Sequence, residues 1–553
     1  MGSRLAAILA NDSLHLSYHI THARADNYSA AGDFNPAATA LPGTRPLPAR
    51  EIGSSGYETL NQTLRLALRQ AQHQVRLEIA AQHIPFEGFP NQRMDMTGND
   101  SLQIQASYHT TEDWGNLQAR IYGQRVDHAM NMGPDRYSYG VQGMPMLTHA
   151  TTLGGSTEAG LILTERTWLR SGLEYQQHTL NDWWPPAGGL GMGPYTFWNI
   201  NFGRRDRLGI FGELETEPHT DWSLLAGLRA DTIKSDTGPV QGYNGTPQWA
   251  NDAAAFNALQ RAHTDHQWDA TLLARFQRSP ANAWEFGYAR KSHSPNLYQR
   301  YAWSSNTMAS LMNNFVGDGN GYLGNVGLKP EIAHTLSAGA QWQTPDTASS
   351  YLRFDAYLTT IADYIDVVRC ASASCGGSAN LDRSQGFVNL RYANHHARLY
   401  GLDISGQREL ADTSYGTFAL HGLFNYVRGR NTYTSDDLYH QMPANLKLGL
   451  ERLQGGWRNT LEAELVAAKR HVSRVRNETG TPGYGLLHLR NSYQWPRVRL
   501  DINVENLLNR HYAPPLGGAY LGQGASMSSV SLPWGVALPG MGRSFNLSLT
   551  ATF

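Results

Sequence analysis

Long apolar segments are missing from this chain of 553 residues. No stretch reaches the roughly 18 consecutive apolar residues that a transmembrane helix needs, and the mean hydropathy is -0.45. A membrane location remains open, because the strands of a transmembrane β-barrel are apolar on one face only and average out to a polar sequence.

Charge and cysteine are also scarce. Charged residues make up 16% of the chain and the formal net charge is -1, so no basic surface is offered to a nucleic acid and we expect none as a partner. The two cysteines, Cys370 and Cys375, both lie in the segment RCASASCGGSAN. In a loop facing an oxidising compartment they are expected to form a local disulfide, with a metal-binding role as the alternative.

Turn-forming and aromatic residues are plentiful, with 55 Gly, 27 Tyr and 14 Trp. Segments of period-two alternation recur from residue 12 to residue 553, about 20 in all, and short connections take turns with long ones. This pattern predicts an all-β fold, a transmembrane antiparallel β-barrel over 12–553 with long extracellular loops and short periplasmic turns. Residues 1–11 hold an apolar run too short for a signal peptide and are expected to be an unstructured or remnant N-terminus.

Tryptophan is placed as such a barrel requires. Seven tryptophans lie at or beside the short turns, which predicts an aromatic girdle at the periplasmic interface. They are Trp114, Trp168, Trp222, Trp284, Trp342, Trp457 and Trp495.

The strand predicted at 115–128 leads into the clearest candidate for a binding site. Its even-numbered positions form the polar face and continue to His128, Met130 and Met132. Imidazole and thioether ligands suit copper, especially Cu(I), better than hard cations. We therefore take His128 and Met130 as primary ligands. Two further Met-x-Met doublets complete the set of possible secondary ligands, which are Met132, Met144, Met146, Met94 and Met96.

Methionine also has a purely structural use, since its flexible side chain fills irregular gaps where loops pack together. For Met192, Met442, Met527 and Met541 this packing role is the preferred interpretation. The three doublets favour the ligand interpretation, because Met-x-Met on an extended chain presents both sulfurs to one side.

Several segments resemble TonB-dependent outer-membrane receptors, and in particular their copper branch. The segments with NLYQR, LKPE and VENLLNRHY are similar to ones shared widely in that family, whereas His-x-Met and the GDGNGYLGN loop resemble the copper branch. In full they read VDHAMNM, GMPM, SPNLYQRYAW, VGDGNGYLGNVGLKPE, YGLDISG, VENLLNRHYAPPLGGAYLGQG and LPGMGRSFNLSLTATF.

This resemblance implies a monomeric 22-stranded barrel in the outer membrane of a Gram-negative bacterium, surrounded by lipid and energised by the TonB-ExbB-ExbD complex. In the copper branch a barrel His-x-Met meets Cys-x-x-x-Met of an N-terminal plug. His128 and Met130 match the barrel half. The plug half has no counterpart in this chain. The position where Cys-x-x-x-Met requires methionine is Ser374 when the motif starts at Cys370, and Ala379 when it starts at Cys375. The expectation is a receptor truncated at its N-terminus, without a plug domain or TonB box.

Three functions fit these expectations, and none is enzymatic. The leading one is uptake of copper ions, in either oxidation state, as the transported ligand and without an organic cofactor. The alternatives are a receptor for a siderophore or other metal chelate, and a passive plugless pore. No serine, histidine and carboxylate grouping suggests a hydrolase.

Overall fold

The structure is a computed structural model that describes residues 1–34, 46–187, 191–344, 350–371, 379–382, 384–528 and 532–553. The described residues form strands joined into a single sheet, with four short helices in the connections. The all-β prediction is therefore confirmed. Within these ranges no helix is long and apolar enough to cross a membrane.

The sheet contains 22 strands, the number expected of the family barrel. They are β1 (Gly2–Ala10), β2 (Leu14–Ala25), β3 (Tyr57–Gln70), β4 (His73–Glu87), β5 (Asp95–Glu112), β6 (Gly115–Asn131), β7 (Met146–Thr164), β8 (Thr167–Trp184), β9 (Phe197–His219), β10 (Trp222–Asp236), β11 (His263–Ser279), β12 (Asn282–His293), β13 (Gly321–Leu323), β14 (Glu331–Gln343), β15 (Tyr351–Arg369), β16 (Asn389–Thr413), β17 (Gly416–Asn431), β18 (Asn445–Gln454), β19 (Trp457–Val466), β20 (Tyr484–Gln494), β21 (Val498–Glu505) and β22 (Ser544–Ala551). The helices are α1 (Pro247–Asn257), α2 (Leu297–Tyr301), α3 (Thr307–Met312) and α4 (Ala379–Asp382).

Strands next to each other in sequence pair antiparallel along the sheet, apart from β13. This strand has three residues and pairs in parallel with β16, so β12 pairs directly with β14. At the two ends of the series β1 pairs with β2 and β22 pairs with β21, and among the described residues no pairing joins β1 to β22.

The expectation of an unstructured N-terminus is wrong, because most of residues 1–11 forms β1. All nine residues of β1 are exposed, and the sequence GSRLAAILA has no alternation that would reveal a strand. Pairing with β2, from Gly2 opposite Ala23 to Ala10 opposite His15, holds it in the sheet. The expected count of about 20 strands missed β1 and the short β13.

The two ends of the sheet differ as the sequence predicts. The short turns carry exposed tryptophan side chains, and Trp284 and Trp342 pack edge to face with ring centroids 5.3 Å apart. The long connections at the opposite end contain α1 to α4 and the largest cluster of buried apolar residues. The candidate site belongs to this loop end.

Candidate metal site

β6 carries His128 and Met130 on the face that points away from the lipid. The outward face of β6 shows Ile121, which is 67% exposed, and becomes charged toward the loop end at Asp127. Asp127 lies in a row across the strands, opposite Asp100 of β5 and His149 of β7. A change from apolar to charged residues marks the edge of the lipid-facing band of a barrel. His128 follows Asp127, so it lies inside the barrel at the level of the outer edge.

A row of three methionines crosses β5, β6 and β7. Met96 is opposite Met130, and Met130 is opposite Met146. Opposed residues share one face of a sheet and have Cβ atoms about 4.5–5.5 Å apart. The three side chains are buried, with 7%, 6% and 1% of their surface exposed. Strand register thus brings together one member of each of the three doublets.

Of the remaining doublet members, Met132 and Met144 lie in the loop between β6 and β7, and Met94 directly precedes β5. Asn131 closes this loop, because its side-chain oxygen accepts hydrogen bonds from the backbone N–H groups of Met132 and Met144, both at 2.8 Å. Gly143 precedes Met144 with φ at +67°, and a Cβ there would lie 2.2 Å from the Asn131 oxygen. The close approach and the positive φ both require glycine at this position.

A buried ion pair joins the same loop to the first residue of β5. The Arg136 Nε donates to Asp95 Oδ2 at 2.9 Å and its Nη2 donates to Oδ1 at 3.1 Å, with neither side chain exposed. Asp95 also accepts from the backbone N–H groups of Phe89 and Gly133. Asp95 lies between Met94 and Met96 in sequence, and Arg136 lies between Met132 and Met144. The ion pair therefore connects the doublet at the start of β5 to the loop between β6 and β7.

Arg93, which lies just before β5, contacts three further loops. Its guanidinium donates to the carbonyls of Gly319 and Ser528, both at 2.9 Å, and to that of Ser526, and it lies over the Phe387 ring. Burial lowers the pKa of Arg93 to about 9, partly offset by the charge of Asp318. The group is still charged at neutral pH, and the backbone carbonyls stabilise that charge.

The largest apolar cluster contains nine methionines, called the methionine cluster below. Seven are buried in it and two are partly buried against it. The cluster also includes the aromatic side chains of Trp184, Phe197 and Trp303. The methionines are Met94, Met130, Met132, Met144, Met146, Met192, Met308, Met312 and Met527.

The structure brings together most, but not all, of the residues singled out in the sequence. Met96 is buried and opposite Met130, yet it is not part of the apolar cluster. Met192 and Met527, interpreted as packing residues, are in the cluster, whereas Met541 is 45% exposed. Sequence reasoning missed the membership of Met308 and Met312, although their positions in long loops of one rim were a usable signal.

Two polar groups, His128 and Asp182, lie on the same side of the sheet as Met130. His128 is partly buried, and its Nδ1 lies 3.2 Å from Asn99 Oδ1. Asp182 of β8 is fully buried and accepts from Trp184 Nε1 at 2.9 Å and Asn199 Nδ2 at 2.7 Å. These donors are neutral, so they leave the negative charge of a deprotonated Asp182 in place. In the described part of the chain no group of three or more His, Cys, Asp or Glu residues could hold a metal.

Of the two cysteines, Cys370 is disulfide-bonded and 4% exposed. Cys375, the other half of the expected pair, lies outside the described residues. Cys370 packs against Leu323 in a cluster separate from the methionines.

Comparison with known proteins decides the family. Residues 12–507 match the family of TonB dependent receptor-like β-barrels. The chain belongs to the TonB-dependent receptors. Proteins of this family are receptors and transporters of the Gram-negative outer membrane rather than enzymes, which places the chain in that membrane.

Individual relatives are distant. A 245-residue stretch is 24% identical to heme/hemopexin utilization protein C of Haemophilus influenzae, covering 41% of this chain and 32% of that protein. The whole chain superimposes on 78% of the copper transporter OprC, with 16% identity and a TM-score of 0.77. It also superimposes on 79% of the FrpB iron transporter from Neisseria meningitidis, with 12% identity and a TM-score of 0.68. A third structure, the ferric yersiniabactin uptake receptor FyuA from Yersinia pestis, is 14% identical over 78% of its length, with a TM-score of 0.65. At these identities the structures establish the shared fold.

Proposed function

We propose that this chain is the barrel of a receptor that takes up copper ions across the outer membrane, with the TonB-ExbB-ExbD complex as its energy-coupling partner. The observation that carries the proposal is the row of Met96, Met130 and Met146 beside His128 at the outer edge of the lumen. Thioether and imidazole groups form a donor set for Cu(I). The similarity in fold to a copper transporter supports the same choice.

In this proposal His128 and Met130 are the primary ligands and the rest of the methionine cluster is a capture path from the loops. The cluster is large for a packing role alone, since it gathers nine of the 13 methionines of the chain. A thioether is neutral and does not balance the charge of a bound ion. Asp182 supplies a negative charge near this site. It is opposite Thr148, and Thr148 is opposite His128. Asp182 is therefore two strand spacings, about 10 Å, from His128 across the sheet.

Copper retention by the purified protein tests the assignment. We expect the wild-type protein in detergent to retain Cu(I) supplied anaerobically with a reductant, and Ag(I) as a redox-inert substitute. His128→Ala combined with Met130→Ala should abolish retention measured by mass spectrometry of the eluted metal. His149→Ala and Met541→Leu are matched controls, because His149 lies on the outer face and Met541 is exposed. Unchanged retention in the double variant would refute the ligand assignment.

A metal-chelate receptor is the second candidate, and one cavity favours it. This cavity of about 750 Å³ lies among the loops and is lined by His263, Arg300, Trp303, Arg369 and Arg391, among others. Cationic and aromatic side chains around a cavity suit an anionic, partly apolar ligand. Titration of the protein with ferric siderophores, followed by tryptophan fluorescence, separates the two candidates. Saturable binding of a chelate together with no retention of Cu(I) would replace the copper proposal.

A further inference from the structure

A continuous chain of side-chain hydrogen bonds runs along the inner face of the barrel and ends at His128. It begins in β3, where Asn61 Nδ2 donates to Thr59 Oγ1 at 3.0 Å. Asn61 Oδ1 accepts from Gln82 Nε2 of β4 at 2.8 Å. Gln82 Oε1 accepts from Asn99 Nδ2 of β5 at 3.4 Å.

The last bond joins Asn99 Oδ1 to the Nδ1 atom of His128 at 3.2 Å. Strand register places these groups in reach of one another. Asn61 is opposite Gln82, and Asn99 is opposite His128. Asn99 lies diagonally from Gln82, a position that long polar side chains span across a sheet.

In the structure each carboxamide of the chain pairs its nitrogen or oxygen with the complementary atom of its neighbour. An amide can donate only through nitrogen and accept only through oxygen. Because Asn99 uses its nitrogen toward Gln82, it presents its oxygen to His128. An oxygen acceptor facing Nδ1 favours the neutral tautomer that has the proton on Nδ1 and the lone pair on Nε2.

We propose that Asn99 is a positioning residue that holds His128 in the Nδ1–H tautomer, with Gln82 and Asn61 fixing the orientation of Asn99. This inference rests on the proposed role of His128 as a metal ligand and specifies which atom binds. Nε2 is the ligating atom, and the amide chain orients the ring before the ion arrives. A hydrogen bond to the second ring nitrogen commonly sets tautomer, orientation and basicity of a histidine ligand.

Burial supports a built arrangement rather than a chance surface contact. Asn99 is 9% exposed, and the other side chains of the network are partly buried on the inner face. In the described part of the chain the His128 ring makes a single hydrogen bond, the one through Nδ1. The ring therefore has Nε2 available for a ligand.

The test compares Asn99→Leu with Asn99→Asp in protein carrying ¹³C,¹⁵N-histidine. Leucine removes the acceptor at similar size, whereas aspartate keeps an oxygen for His128. Gln124→Leu is the matched control, because Gln124 is an amide of the same strand face that donates to Ser101 outside the network. Nitrogen-carbon correlation spectra of the metal-free protein in lipid report which ring nitrogen of His128 is protonated, with His128→Ala giving the assignment.

We expect Nδ1–H in the wild-type protein, in Asn99→Asp and in Gln124→Leu, and a mixture of tautomers in Asn99→Leu. Cu(I) affinity should fall about 10- to 100-fold in Asn99→Leu alone, the range found for lost outer hydrogen bonds of ligating histidines. An Nε2–H wild-type ring, or an unchanged tautomer in Asn99→Leu, would overturn the inference. If the tautomer shifts but wild-type protein and His128→Ala retain equal copper, then the copper proposal fails while the positioning of His128 stands.

Discussion

At the scale of single residues, the ion pair between Arg136 and Asp95 joins the loop between β6 and β7 to the start of β5. Its two side chains are fully buried and joined by two hydrogen bonds. Removing one partner leaves the other as an unpaired buried charge, which costs about 3–5 kcal/mol. We expect Asp95→Ala to open the loop between β6 and β7, measured as faster hydrogen exchange of the amides from 132 to 145.

The exposed pair of Arg50 and Asp33, joined at 2.7 Å, is the control for this prediction. A surface ion pair contributes about 0–1 kcal/mol, so Asp33→Ala should leave exchange in the 132–145 loop unchanged. Replacing both buried partners, as Asp95→Ala with Arg136→Met, should cost less than Asp95→Ala alone because no charge remains unpaired. Equal exchange in Asp95→Ala and wild type would show that other contacts hold the loop.

Sequence reasoning identified the candidate ligands but not the residues that hold them. His128 and Met130 stand out because imidazole and thioether are rare together on one strand face. Asn99 and Asn131 are ordinary polar residues in the sequence, and their roles follow from cross-strand register and loop closure. Neither register nor closure can be computed from one strand alone, since both depend on which neighbour pairs at which offset.

At the scale of strands, the row across β5, β6 and β7 separates the packing role of methionine from a ligand role. Leucine has a similar volume and no sulfur, and such swaps cost less than about 1.5 kcal/mol in a packed core. We expect Met130→Leu to fold and insert like the wild type but to lose most Cu(I) retention, with Met146→Leu losing less. Retention is measured as metal per protein, and folding by the heat-modifiable shift in gel mobility.

A wild-type level of copper in both leucine variants would assign the row to packing. Met541→Leu serves as the control, because Met541 is exposed and lies outside the methionine cluster. The sequence predicted only part of this row. The Met-x-Met spacing predicted that the two sulfurs of one doublet lie together, whereas the row joins methionines of three different strands. Instead β6 ends at Asn131 and β7 begins at Met146, so one methionine of each of these two doublets lies in the strand and the other in the loop.

At the scale of the whole molecule, alternation predicted the barrel because most of the strands separate lipid from lumen in the same way. Alternation did not predict β1, and the reason is physical. This strand lies at the end of the series with both faces exposed, so its sequence carries no alternation. The outward faces also place the site relative to the membrane. Ile121 and Asp127 are six residues apart on the outward face of β6, about 20 Å along the strand.

This placement predicts which positions face lipid and which face water. Asp127→Cys in protein reconstituted into vesicles should react with a membrane-impermeant maleimide, whereas Ile121→Cys should react only after detergent is added. The wild-type protein is the background control, because the one cysteine that the structure describes, Cys370, is disulfide-bonded. Labelling is read as the mass added to the intact protein. Protection of Asp127→Cys would move the lipid boundary above His128, and the site would then lie within the membrane rather than at its outer edge.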